Sequence, residues 1–345
     1  MIPDKSKDSI LPLGKLPPTL LARMIARAPI DDPRVLVGPG IGIDCAVLDL
    51  GSTLLVLKSD PITFASDEIG WYLVQVNAND LATTGATPRW LLVTALLPEG
   101  SSTPALVDEV AESIFSACRQ LGIAMIGGHT EITAGLDRPI LAGTLIGEVE
   151  REKLIVPTGA QAGDRLLLTK GVPVEATAIL AREFAHRLSS VLTEEELEEA
   201  KQYLYNPGIS VVKDAVTAVK AGSVHAMHDP TEGGLASALW EIAEASQKSI
   251  LFYPEKVFIP PLSQKVLSVF GLDPFASIAS GALLCAVPES SVALISSAWD
   301  EAGISHSEIG VLGVGPASVW IETPQGRQPL PRPERDEIAR VFEEN

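Results

Sequence analysis

The stretch from Pro157 to Gly163 is the strongest break in this chain: one proline and two glycines in seven residues favour turns over any regular element. It divides the 345 residues into blocks of similar size, 1–156 and 157–345, and one domain is expected in each. Both blocks alternate short apolar runs with amphipathic segments, the pattern of an α/β (α+β) chain. In the first block, strands are expected at 46–50, 54–57, 89–97, 123–126 and 140–149. Helices are expected over 17–28, 67–84 and 107–121, with Asp67 capping the second and Gly85 stopping it. In the second block a strand at 165–169 precedes helices near 174–186, 194–205 and 210–221. A strand around 224–227 then leads into a helix beginning near Glu232. Residues 1–13 read as a mobile lead-in.

Composition narrows the function. A hydrophobic fraction of 46% is enough for sizeable cores, so a disordered chain is excluded. A formal charge of −18 argues against duplex DNA or an anionic membrane as partner, since either needs a basic face. No apolar run approaches the length of a membrane helix, and the first ten residues lack a signal-peptide core. Cys45, Cys118 and Cys285 are dispersed among apolar neighbours, which fits buried reduced thiols in a cytoplasmic protein. The acidic run after Thr193 reads as a solvated helix start, with Thr193 and Glu196 forming a capping box.

Three groups of polar residues stand where apolar runs end. Asp44 follows the glycine-rich stretch 38–42, Asp60 closes a buried run, and Asp80 lies on an expected helix. Asn77 and Asp80 are three residues apart and share one helix face. A helix buried through Leu73, Val74 and Val76 has little reason to carry them inward without a polar task. Carboxylates meeting at strand ends are the oxygen donors magnesium prefers; a turn or cap also explains Asp44 or Asp60 taken singly.

The second group is Gly127-Gly128-His129-Thr130-Glu131, directly after an apolar run. Its glycines permit close backbone approach, and successive N–H groups there line an anion-binding hollow; the plain alternative is a tight strand–loop turn. The third is His228-Asp229-Pro230-Thr231-Glu232-Gly233-Gly234, between a strand and a helix. Asp229 and Thr231 are cap candidates, and paired glycines let a helix N-terminus approach a phosphate. His225 and His228 form an HxxH pair that lacks the helix and third ligand of a zinc site, so zinc is not expected. P-loop, dinucleotide-fold and nucleophile-elbow spacings are missing, so a nucleotide would be held by another scheme.

Taken together, these strings resemble the aminoimidazole-ribonucleotide synthetase (AIR synthase, PurM-like) superfamily. Those that carry the likeness run from the Asp44 and Asp60 turns through Asn77-Ala78-Asn79-Asp80 and Gly85-Ala86-Thr87-Pro88 to Gly127–Glu131, His228–Gly234 and Ser280-Gly281. Within the superfamily, Gly14-Lys15 and Thr169-Lys170-Gly171 with Glu175 make the chain look most like the HypE-type hydrogenase-maturation factors and their AIR synthase-related homologues. The resemblance implies a PurM-like two-domain fold. Its N-terminal α/β domain, 1–156, would bind ATP and pair its sheet with a twin in a homodimer; residues 157–345 would form a C-terminal α/β domain. It also implies that Asp44, Asp60 and Asp80 hold magnesium on the ATP phosphates. Asn77, Gly127, Gly128 and Thr130 would line the phosphate path, and Asp229 and Glu232 would face the cleft from the second domain. Lys15, His129 and Glu131 are the candidate catalytic residues.

The implied chemistry is ATP-dependent phosphorylation of an acceptor oxygen on a carbonyl, amide or similar group. Loss of phosphate then completes dehydration or ring closure in some members, with the protein supplying alignment and charge. The alternative is a nucleotide-binding accessory factor without turnover. Three departures bear on this. Ile43-Asp44 stands where many relatives have an acidic pair, and His129 replaces an acidic residue, with Glu131 nearby as a substitute ligand. The terminal cysteine of HypE has no counterpart in residues 340–345, so an acceptor other than such a tail is expected.

Overall fold

The computed structural model describes residue 11, residues 13–323 and residues 326–344, so the lead-in expected over 1–13 lies largely outside the described residues. A first helix, α1 (Pro18–Ile25), opens on a proline, whose missing N–H is no loss in a first turn. Six strands follow: β1 (Val35–Val37), β2 (Ala46–Asp49), β3 (Leu54–Ile62), β4 (Thr87–Pro98), β5 (Ala124–Thr133) and β6 (Ile140–Val149). They form one sheet in the order β1-β2-β3-β6-β4-β5. Neighbours run antiparallel except β4 and β5, which are parallel and joined by helix α3 (Pro104–Leu121).

Helix α2 (Ile69–Thr83) lies against this sheet, and every residue in it except Trp71 is buried. A helix apolar on nearly all sides must be enclosed on nearly all sides, and the second half of the chain supplies the other wall. Gly143 on β6 makes the close approach possible: a Cβ there would stand 3.1 Å from Asn77 Nδ2 on α2. On the far side, Asn79 donates to the Ile209 carbonyl (2.7 Å) and accepts from the Val211 N–H (2.8 Å). A side-chain amide with both ends bonded inside a core is worth about 1 kcal/mol per bond and fixes register.

The second half comprises β7 (Arg165–Thr169), α4 (Val174–Glu183), α5 (Ala185–Leu188), α6 (Glu194–Gln202), α7 (Val212–Ala221), β8 (Ala226–His228), α8 (Gly234–Ser246), β9 (Ser249–Phe252) and α9 (Pro261–Phe270). It continues with β10 (Leu284–Val287), α10 (Glu289–Glu301), β11 (His306–Gly313), β12 (Ser318–Thr323), β13 (Gly326–Pro329) and α11 (Ile338–Glu343). Its strands form a second sheet ordered β13-β12-β9-β11-β7-β10-β8. One hydrophobic cluster runs from the first sheet through α2 and α3 into α4, α6, α9 and α11. The capping box of Thr193 and Glu196 opens α6, and all three cysteines are buried and unpaired. Among the described residues no helix is long and apolar enough to cross a membrane.

Three sequence expectations fail, each for a non-local reason. Asp67 does not cap α2: the N-cap is Glu68 in a left-handed conformation, and Asp67 instead pairs with Arg182 on α4. The strand expected to end at Gly127-Gly128 continues to Thr133, so Gly127–Glu131 is strand rather than turn. The glycines serve a bulge: pairing with β4 slips between Leu91 and Leu92, Gly128 has φ +146°, and a Cβ there would fall 1.9 Å from the Val93 carbonyl oxygen. Helix α8 starts at Gly234 with Gly233 as N-cap, so Asp229 and Thr231 cap nothing and lie in the loop before it.

Candidate active site

Strand β3 carries Lys58 and Asp60 on one side of the chain, and β2 is preceded by Asp44. Lys58 Nζ stands 3.1 Å from Asp60, 3.2 Å from Asp80 and 3.7 Å from Asp44. The three aspartates expected to converge do so, around a lysine. Asn77 is fully buried, and its amide oxygen accepts the Asp60 N–H (3.1 Å) while its nitrogen donates to the Leu73 carbonyl (2.8 Å). It therefore holds the end of β3 in place rather than lining an open path.

The loop before α8 closes the cluster from the second half. His228 Nε2 lies 2.8 Å from Glu241 on α8 and 3.8 Å from Asp44, and its Nδ1 lies 3.1 Å from the Asp229 carbonyl. Burial disfavours its charge, but Glu241 and Asp44 outweigh that and raise its pKa to about 9, so the imidazolium is the resting form. Burial and the neighbouring carboxylates push Asp80 well up; Asp229 rises to about 7, again chiefly through burial. Lys58 is held well above the ordinary lysine value because Asp80, Asp44 and Asp60 overcome its own desolvation. Lys15 Nζ reaches the Thr231 hydroxyl (3.1 Å), and Glu241, Asp44 and Glu232 raise its pKa against its desolvation. His225 faces elsewhere, toward Asp164 (2.9 Å).

The remaining predicted residues are not brought to this cluster within one chain. Gly127, Gly128, His129, Thr130 and Glu131 lie on β5, the edge strand, with β4 and β6 between it and β3. His129 Nε2 and Glu131 Oε2 pair at 3.2 Å in the open. Two members of the cluster escaped the sequence reading, Lys58 and Glu241. The lysine inside Leu54-Leu55-Val56-Leu57-Lys58 was the available signal, because a lone cation in a buried strand needs carboxylates. Glu241 gave none beyond its place on a largely buried helix.

No three His, Cys, Asp or Glu side chains among the described residues already form a metal-holding set, since Lys58 occupies the centre. The donors nevertheless fit a hard divalent cation. Asp80 Oδ2, both Asp229 oxygens and Glu232 Oε2 are buried without a hydrogen-bond partner. Carboxylates outnumber the cations beside them, and oxygen donors in excess of positive charge are what magnesium takes.

Comparison with known proteins supplies the context for this cluster. Residues 42–149 match the AIR synthase related protein N-terminal domain, and residues 161–321 match its C-terminal domain. The chain belongs to the AIR synthase related family. A Methanocaldococcus jannaschii relative named for hydrogenase expression/formation is 30% identical over 326 residues, covering 88% of this chain and 91% of that protein. Carbamoyl dehydratase HypE of Cupriavidus necator is 27% identical over 254 residues, covering 72% and 69%. In structure, hydrogenase maturation protein HypE solved in complex with ATP superposes with a TM-score of 0.70 at 24% identity, covering 88% of this chain and 90% of that one. The expected two-domain α/β architecture is thus that of the AIR synthase related family.

Proposed function

We propose that this protein is a magnesium- and ATP-dependent enzyme that phosphorylates an oxygen of an acceptor. The observation that carries the proposal is the convergence of Asp44, Asp60 and Asp80 on one cation, closed from the other half by Asp229. Family membership supports ATP use, since relatives include a carbamoyl dehydratase and a HypE solved with ATP. Magnesium, when bound, offsets charge on the transferred phosphoryl group; Asp44, Asp60 and Asp80 would hold it. Asn77 keeps Asp60 in register, and Lys15 and Lys58 bring positive charge to the phosphates. The bond from the γ-phosphorus to its bridging oxygen breaks as a bond to the acceptor oxygen forms, and the acceptor proton passes to a carboxylate.

We further infer a homodimer through β5 and the open face beside it. Leu92, Met125, Ile126 and Ile132 are exposed there, and an unpaired apolar edge calls for cover. Pairing would carry Gly127–Glu131 of one protomer toward the partner, giving those residues a site they lack in one chain. Sedimentation of Ile126→Asp against wild type tests this, with a shift to monomer expected. The buried unpaired cysteines suit a cytoplasmic location.

Calorimetric titration of magnesium and ATP into the full chain tests the main reading. Wild type should bind, and Asp80→Ala should lose about 100-fold in affinity, roughly 3 kcal/mol, while remaining folded. A folded Asp80→Ala protein with wild-type affinity would overturn the assignment. The separation of His129 and Glu131 from the cluster favours a second reading, a nucleotide-binding accessory factor. Tight binding without phosphate release under any acceptor would select it.

A further inference from the structure

A cavity of about 370 Å³ opens beside Asp60, between α2, α4 and the loops at 13–15 and 231–232. Its walls are mostly apolar, Phe64 among them, yet two polar atoms lining it lack any hydrogen-bond partner: Tyr72 Oη and Glu232 Oε2. Tyr72 and Ser280 are each 1% exposed. Glu175, also buried, faces the same space and accepts the Ser280 N–H at 3.0 Å. Unpartnered polar atoms are rare in protein interiors, and two at one cavity mark a place shaped for a ligand's own polar groups. Tyr72, Ser280 and Glu175 are not among the groups that hold the aspartate cluster together.

The charge of the lining chooses among ligands. Glu175, Glu232 and Asp60 present carboxyl groups, against one cation, Lys15, which is engaged with Thr231. An anionic head entering this poorly hydrated space would find carboxyl groups, and a single already engaged cation, to offset its own loss of water. An N–H or O–H donor would find acceptors on every side. We propose that this cavity takes the acceptor, and that it selects a small molecule with an apolar body and a neutral or cationic, donor-bearing head over an anionic one. This rests on the phosphorylation reading only for the word acceptor; the ligand preference stands on the cavity itself.

Benzamidine and benzoate are flat, similar in size and opposite in charge, and either fits the volume. Titrated by ligand-observed NMR into the full chain, benzamidine should bind at least about tenfold more tightly than benzoate. Glu175→Gln keeps the Ser280 contact and should weaken benzamidine about tenfold. Tyr72→Phe should weaken it about threefold while raising the melting temperature, because the lost hydroxyl is unpartnered in the free protein. A purely structural tyrosine would change stability alone. Benzoate binding equally or better, neither probe binding at about 10 mM, or both variants leaving benzamidine unchanged would overturn the proposal. Magnesium and ATP titrated into the same wild-type sample report the nucleotide reading separately, so either can fail without the other.

Discussion

The carboxylates around Lys58 and the strand carrying His129 bear the same sequence signal, polar residues at the end of an apolar run, yet the fold treats them in opposite ways. Asp44, Asp60 and Asp80 are gathered from β3, α2 and the turn before β2 into one charged knot. His129 and Glu131 remain on the outer strand, paired with each other and open to solvent. The difference lies in position within the sheet. A central strand end is roofed by α2 and by the loop before α8, whereas an edge strand has only one neighbour to meet. Local spacing reports chemistry; the sheet order decides who shares it.

Substitutions at the two regions should therefore diverge. Lys58→Met removes the cation that three carboxylates share, and breaking a buried pair typically costs about 3–5 kcal/mol. We expect a large drop in melting temperature that added magnesium partly restores; an unaffected melt would mean the knot is not a charged unit. On the edge strand the sensitive position is a glycine, not the histidine. Gly128→Ala should destabilise by about 2 kcal/mol through backbone strain and collision with Val93, measured by urea denaturation. A neutral result there would show that the bulge relaxes freely.

A smaller effect is expected from pH. Asp229, raised to about 7 mainly by burial, keeps its proton in the folded chain through the window where an unfolded aspartate has lost it. Its contribution to stability is complete below about pH 4 and disappears as pH climbs through about 7. Cation binding favours the ionised form, so affinity for magnesium with ATP should rise by up to about tenfold from pH 6 to pH 8, with proton release at the lower pH. Calorimetry in buffers of different ionisation enthalpy reads that release. The smallest change belongs to His129→Ala: an exposed ion pair is worth under about 1 kcal/mol, and melting should scarcely move. A loss as large as that of Lys58→Met would erase the contrast between the regions.

Much of the fold is legible from periodicity, because β6 and β7 alternate or bury cleanly between turn residues and α6 announces itself by its cap. What escapes depends on distant partners. Asp67 has the right chemistry for a cap, yet Arg182 from the other half claims it. Gly127-Gly128 looks like a turn because a bulge needs the same residues as a turn. In the site, each aspartate is visible at its strand end or helix face, while Lys58 hides in an apolar run and Glu241 in a helix. Their significance exists only once two halves of the chain have met.

Helix α2 is the place where they meet, and its enclosure has a thermodynamic consequence. Asn79 ties it to the backbone at Ile209 and Val211, and a continuous apolar cluster extends from the first sheet past α2 into the helices beyond. Neither sheet can melt while leaving the other's packing whole. Heating should accordingly give one calorimetric endotherm whose van't Hoff and measured enthalpies agree, despite the two family domains written in the sequence.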